Sequence, residues 1–190
     1  MEKVLSDTEG KTLLQIARQA ISGRLGRDVD GDVAIQDTLA DKQYGTFVTL
    51  KKNGQLRGCI GNLQATGAVA EGVKQNAIHA AFHDSRFSPL TVDELAEIEI
   101  DISVLNQPQP LEYEDAQDLL SKLRPGVDGV ILSIGMAKAT FLPQVWEQLP
   151  QIESFLGHLC RKAGLVESAW RDSHPLIAIY QAQCFAEEEG

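Results

Sequence analysis

Asn53-Gly54 sits between two runs that favour extended chain, Phe47-Val-Thr-Leu-Lys-Lys52 and Gln55-Leu-Arg-Gly-Cys-Ile60. A two-residue type I′ turn needs positive φ at both central positions, and Asn and Gly tolerate it. The pattern predicts a β-hairpin, so the fold must accommodate an antiparallel pair here. Counting outward from the turn sets Lys52 opposite Gln55, Leu50 opposite Arg57 and Val48 opposite Cys59. Side chains alternate along a strand, so this register puts Arg57 and Cys59 on one face, within about 7 Å.

The remaining segments agree with an antiparallel framework. Ile98, Ile100, Ile102 and Val104 alternate with Glu97, Glu99, Asp101 and Ser103, as in a strand with one buried and one wet face. The acids of that strand read as its solvated side. Ser6 and Glu9 form a capping-box pattern opening a helix to about Leu25, and a second helix spans about Gly67 to His83. Thr91 and Glu94 form another capping-box pattern. Further helices are predicted from about Glu114 to Leu123 and from Ile152 to Lys162, the latter stopped by Gly164. Hairpin strands are predicted at Val130–Ile134 and Lys138–Pro143, and one final strand from about Leu176 to Phe185. The polar stretch from Gly26 to Lys42 reads as a long loop, and Glu187-Glu-Glu189 as a frayed acidic tail. No regular β-α-β alternation occurs. The predicted class is α+β, mainly antiparallel sheet with flanking helices, and 190 residues suffice for a single domain with a full core.

Charge and cysteine content exclude several functions. A net charge of -10 repels nucleic acid and anionic membranes, which require clustered Lys and Arg. No apolar run approaches the ~20 residues that span a bilayer. The N-terminal residues lack a signal-peptide pattern. Cys59, Cys160 and Cys184 are widely spaced without a CxxC pair, which argues against disulfides and structural zinc. Reduced thiols and a cytoplasmic location are expected. Neither a cofactor nor a metal is.

Cys59 carries the chemistry that the sequence offers. A guanidinium on the same face favours thiolate over thiol, and Gly58 and Gly61 mark a place where something packs or binds against the strand. The alternative is a buried, inert thiol that acts as a small hydrophobe. His79 and His83 share a helix face, but they lack the glutamate and third ligand of a zinc site. Cys160 and Cys184 read as packing residues.

Six segments then occur in a diagnostic order: Leu56-Arg-Gly-Cys-Ile-Gly61, Ala80-Ala-Phe-His-Asp-Ser-Arg-Phe87, Ile98–Leu105, Leu123-Arg-Pro-Gly-Val-Asp-Gly129, Thr140-Phe-Leu-Pro-Gln-Val145, and Leu159-Cys-Arg-Lys-Ala-Gly-Leu165 followed by Trp170-Arg171. In this order they resemble the AMMECR family from about Leu13 to Phe185. The resemblance implies a larger and a smaller lobe, with a cleft near the cysteine strand. It implies no established reaction. It also implies association with a Memo-like protein and a radical-SAM protein. The family's motif positions correspond here to Arg57, Gly58, Cys59, Gly61, Asp84, Arg86, Phe87, Asp128, Thr140 and Pro143. Ser85 stands where many members carry proline. Arg86 either closes its loop, by pairing with Asp84 or a carbonyl, or binds a ligand. The functional expectation is a binding or accessory module in which Arg57, Cys59, Arg86 and Thr140 hold a small anionic ligand or a partner segment. The alternative is an enzyme using Cys59 as thiolate nucleophile or group carrier.

Overall fold

The computed structural model describes residues 4–27 and 37–187. In chain order the elements are α1 (Asp7–Arg24), α2 (Asp37–Ala40), β1 (Gly45–Lys52), β2 (Gln55–Asn62), α3 (Val69–Phe82), β3 (Ile98–Leu105), β4 (Gln109–Pro110), α4 (Ala116–Lys122), β5 (Gly129–Ile134), β6 (Ala137–Phe141), α5 (Ile152–Lys162), α6 (Ala169–Asp172), β7 (Leu176–Tyr180) and β8 (Ala182–Ala186). The fold is α+β with two antiparallel four-stranded sheets. The chain divides into two compact units, Met1–Asn106 with Gln183–Gly190, and Gln107–Ala182.

The first unit contains the sheet β2-β1-β3-β8. Helix α1 begins at the Ser6 cap, where Ser6 Oγ accepts from Glu9 N–H and the Glu9 carboxylate accepts from Ser6 N–H. Val48, Leu50, Ile100 and Ile102 bury one face of this sheet with Leu13 and Ile21 of α1 and Val73 and Ala77 of α3. Each fully buried Leu or Ile contributes about 1.5–3 kcal/mol. Part of the predicted Gly26–Lys42 loop, residues 28–36, lies outside the described residues. The remainder includes the α2 turn, where Leu39 is fully buried.

The hairpin forms around Asn53 and Gly54, both at positive φ, but its register differs from the count made from the turn. Lys52 faces Gln55 and Lys51 faces Leu56; then Leu50 faces Gly58, Thr49 faces Cys59 and Val48 faces Ile60. Arg57 is the extra residue of a β-bulge, so the predicted pairs Leu50–Arg57 and Val48–Cys59 do not form. The cause is α3. A Cβ on residue 58 would lie 2.2 Å from the Ala80 carbonyl oxygen, so a glycine must stand opposite Leu50. The inserted residue reverses the face relation. Arg57 goes with Gly58 and Leu50 to the helix-bearing side, and Cys59 goes with Thr49 to the other.

The second unit contains the sheet β4-β7-β5-β6. Its core joins Leu119, Val130, Leu132, Phe155, Leu159 and Ile177, with Trp146 stacked on Phe155 at 3.6 Å. The single predicted final strand is two strands. β7 belongs to this sheet and β8 to the first, with the break at Gln181.

Nor does the acidic tail fray where it is described. The Glu187 carboxylate accepts from Arg18 Nε at 3.0 Å, from Arg18 Nη2, and from the Ile100 N–H at 2.9 Å. Glu188 and Glu189 lie outside the described residues.

Candidate functional site

β2 is the outermost strand of its sheet, and the loop after α3 runs beside it. In the Thr49–Cys59 pair the backbone groups of Cys59 point away from β1, and two side chains meet them. Asp84 Oδ2 accepts from the Cys59 N–H at 2.9 Å, and Arg86 Nη2 donates to the Cys59 carbonyl at 3.3 Å. Asp84 also accepts from Arg86 N at 3.1 Å, Nε at 2.9 Å and Nη2 at 2.6 Å. Arg86 thus makes both loop-closing bonds open to it, to Asp84 and to a carbonyl. The Arg86 guanidinium holds the Asp84 carboxyl well below the ordinary carboxylate range, against the opposing effect of burial, with help from the Cys59 and Arg86 N–H groups.

The guanidinium close to Cys59 is therefore Arg86, and the predicted sharing of a face by Arg57 and Cys59 does not occur. The thiol is half-buried, and Thr49 Oγ1 donates to its sulfur at 3.3 Å. Arg57 instead bonds Glu94, Nε to Oε1 at 2.9 Å and Nη2 to Oε2 at 3.0 Å, and donates from Nη2 to the Ser88 carbonyl at 3.0 Å. This pairing lowers the Glu94 carboxyl to about 2. Arg57 Nη1 is buried with no hydrogen-bond partner among the described residues. Phe87 joins the two cations, its ring centroid 5.9 Å from Arg57 Cζ and 5.4 Å from Arg86 Cζ.

The two glycines have internal explanations. Gly58 admits the α3 backbone, and a Cβ on residue 61 would meet the Phe47 ring at 2.3 Å. Asp128 and Thr140 lie in the second unit and are engaged there. Asp128 accepts from Arg124 N, Nε and Nη2 at 3.1, 3.0 and 2.6 Å, and its carbonyl accepts from Trp146 Nε1 at 2.7 Å. Thr140 Oγ1 donates to the Val130 carbonyl at 2.9 Å and lies 2.8 Å from the Tyr180 hydroxyl, which burial pushes far above the ordinary phenol range. His79, exposed on α3, and His83, exposed at its C-terminal cap, have ring centroids 5.5 Å apart. Among the described residues no three His, Cys, Asp or Glu side chains group as metal ligands, and no helix is long and apolar enough to cross a membrane.

Sequence reasoning missed Thr49 and Glu94. Thr49 faces Cys59 only through the bulge. Glu94 reads from sequence as the capping-box partner of Thr91; it accepts from Thr91 N–H at 3.1 Å, but the turn that follows, Asp93–Ala96, is capped by Val92 without a side-chain bond, so the box does not close.

The AMMECR1 family profile matches residues 14–185. This chain belongs to the AMMECR1 family. A protein of Methanothermobacter thermautotrophicus is 40% identical over 192 residues, spanning 97% of each chain. A Methanopyrus kandleri protein is 37% identical and spans all of this chain and 93% of its own. Among solved structures, an uncharacterized protein of Pyrococcus horikoshii matches with a TM-score of 0.87 at 30% identity, covering 97% of this chain and 94% of that one. The AMMECR1 profile therefore takes in both units, including β2, the loop after α3 and the Asp128 turn.

Proposed function

We propose that this protein is a binding module that holds a carboxylate or phosphate group beside β2, between Arg57 and Arg86. The group belongs to a small free acid or to a segment of a partner protein. One observation carries the reading: Arg57 is fixed through Nε and Nη2 while its Nη1 keeps a donor without an acceptor. Buried donors are nearly always paired, so an unpaired one on an arginine that shares the Phe87 ring with a second guanidinium marks a place for an acceptor. Arg86 adds a cation whose side chain is 54% exposed. Glu94 and Asp84 balance the two cations, which favours a ligand with few charges and moderate affinity.

The test is a thermal-shift series with acetate, succinate and inorganic phosphate, paired with acidic peptides. Ligand at about 100 times its Kd stabilises by about 2.7 kcal/mol. Arg57→Gln should abolish the shift and Arg124→Gln should preserve it. A shift from free acids identifies a small-molecule site, and one from peptides alone identifies a partner segment. The reading fails if none of these probes shifts the transition.

A second reading rests on Thr49. Its hydroxyl donates to Cys59 Sγ at 3.3 Å, a polar contact that orients the half-buried thiol for the work of a nucleophile or group carrier. Alkylation of Cys59 across pH decides, with Cys59→Ser correcting for Cys160 and Cys184. A rate still climbing beyond the free-thiol range of ~8.5 removes the nucleophile. Memo-like and radical-SAM proteins are the proposed partners in either reading, and co-purification from a native source tests them.

A further inference from the structure

The hydrogen bonds at Cys59 have the form of strand pairing, although no strand makes them. A neighbouring strand would offer one acceptor to the Cys59 N–H and one donor to its C=O. Here Asp84 supplies the acceptor at 2.9 Å and Arg86 the donor at 3.3 Å, and the two are tied to each other. Two residues along, Gly61 stands opposite Phe47 with its backbone groups turned to the same edge, and no described residue bonds them. The outer edge of β2 is thus locked at Cys59 and open at Gly61.

The geometry points to the Asp84–Arg86 pair as a lock that stops β2 from adding the β2 of a second copy of this chain. Free edges are templates for further strands, and chains guard them with charges and bulges. This edge has both, the bulge at Arg57 and the ion pair at Cys59. The occupant follows from self-complementarity. Two β2 edges related by a two-fold axis through Ile60 set Cys59 opposite Gly61 of the other copy, twice. Each of those pairs exchanges two backbone hydrogen bonds. No charged residue lies at either pairing position, and Gly61 offers no side chain to obstruct the approach. The Asp84 and Arg86 side chains take up the acceptor and donor positions at Cys59 that the second strand needs.

The experiment compares the wild type with Asp84→Ala/Arg86→Ala at about 100 µM chain, since an interface this small belongs with weak, transient ones. Light scattering after size exclusion gives the mass, and amide exchange reads Cys59 and Gly61. The wild type should be a monomer of 20.7 kDa with a fast Gly61 amide. The double variant should double in mass, with Gly61 exchange slowed about tenfold. Circular dichroism verifies folding. If the double variant does not fold, Arg86→Ala, which keeps the Asp84 bond to Cys59 N–H, should give a weaker shift in the same direction. A monomeric folded variant, a dimer without protection at Gly61, or a wild type already paired through β2 would each overturn the lock. None of these outcomes depends on acid binding at Arg57, which the thermal-shift series reads separately.

Discussion

The two units contain the same device, a buried aspartate gripped by a half-exposed arginine, and use it differently. In the first unit the Asp84 side chain is 4% exposed and Arg86 is 54% exposed; in the second, Asp128 is 0% and Arg124 is 55%. Each aspartate accepts the backbone N–H, Nε and Nη2 of its arginine. Arg124 and Asp128 lie four residues apart, and the bonds between their side chains close one turn. Asp84 has an additional acceptance, from Cys59, 25 positions away. The first pair therefore fastens a loop to a strand edge, and the second organises only its own turn. Composition at the pair does not distinguish these roles. The third partner does.

Removing the aspartates should separate them most strongly. Breaking a buried ion pair costs 3–5 kcal/mol, and a half-exposed arginine can rehydrate, so Asp84→Ala and Asp128→Ala should each cost about 3 kcal/mol in urea unfolding. The difference should appear in amide exchange. Asp84→Ala should speed exchange at Cys59, whereas Asp128→Ala should speed it only near Arg124. Equal behaviour at Cys59 would erase the distinction.

Glycines sharpen the same contrast. An added Cβ on Gly58 meets a helix carbonyl at 2.2 Å, whereas one on Gly129 meets the Tyr180 ring at 2.4 Å. Backbone cannot rotate away as a side chain can. Gly58→Ala should cost about 2–3 kcal/mol and Gly129→Ala about 1–2 kcal/mol, measured by thermal or urea unfolding.

Acid offers a third test. Arg86 lowers Asp84, and Arg57 lowers Glu94 to about 2, so the unfolded chain binds more protons than the folded one in the acid range. Their stabilisation is complete above the ordinary carboxylate values and disappears as pH falls through the folded ones. Amide protection around Cys59 should decline from about pH 4.5 toward pH 2. Protection that stays constant over that span would dissociate the clamp from its charge. The smallest effect should come from Thr49→Val, about 1 kcal/mol or less, together with a changed alkylation rate at Cys59.

Local rules made part of this legible. Ser6 and Glu9 announce α1, Asn53-Gly54 announces the turn, and the isoleucines of β3 face inward as their alternation predicts. The bulge at Arg57 was hidden because its cause, the Ala80 carbonyl, lies on a helix more than twenty residues later. One unseen residue exchanged the guanidinium beside Cys59 from Arg57 to Arg86, which bonds the Cys59 carbonyl, and concealed Thr49 as the partner of the thiol. The split at Gln181 was hidden for a related reason. No Gly or Pro interrupts the chain from Leu176 to Phe185, and only sheet membership reveals that β7 and β8 serve different units.

Gln183 shows what that split means for synthesis. Its side-chain oxygen accepts from the Val4 and Leu5 N–H groups, and its amide nitrogen donates to the Leu5 carbonyl at 2.8 Å. Among the described residues, the partners of Leu5 are thus translated nearly 180 positions after it. The second unit is one uninterrupted stretch of chain and can close around its own core while the first still waits for β8. Chain order and completion order run opposite ways: the half that emerges first is sealed last.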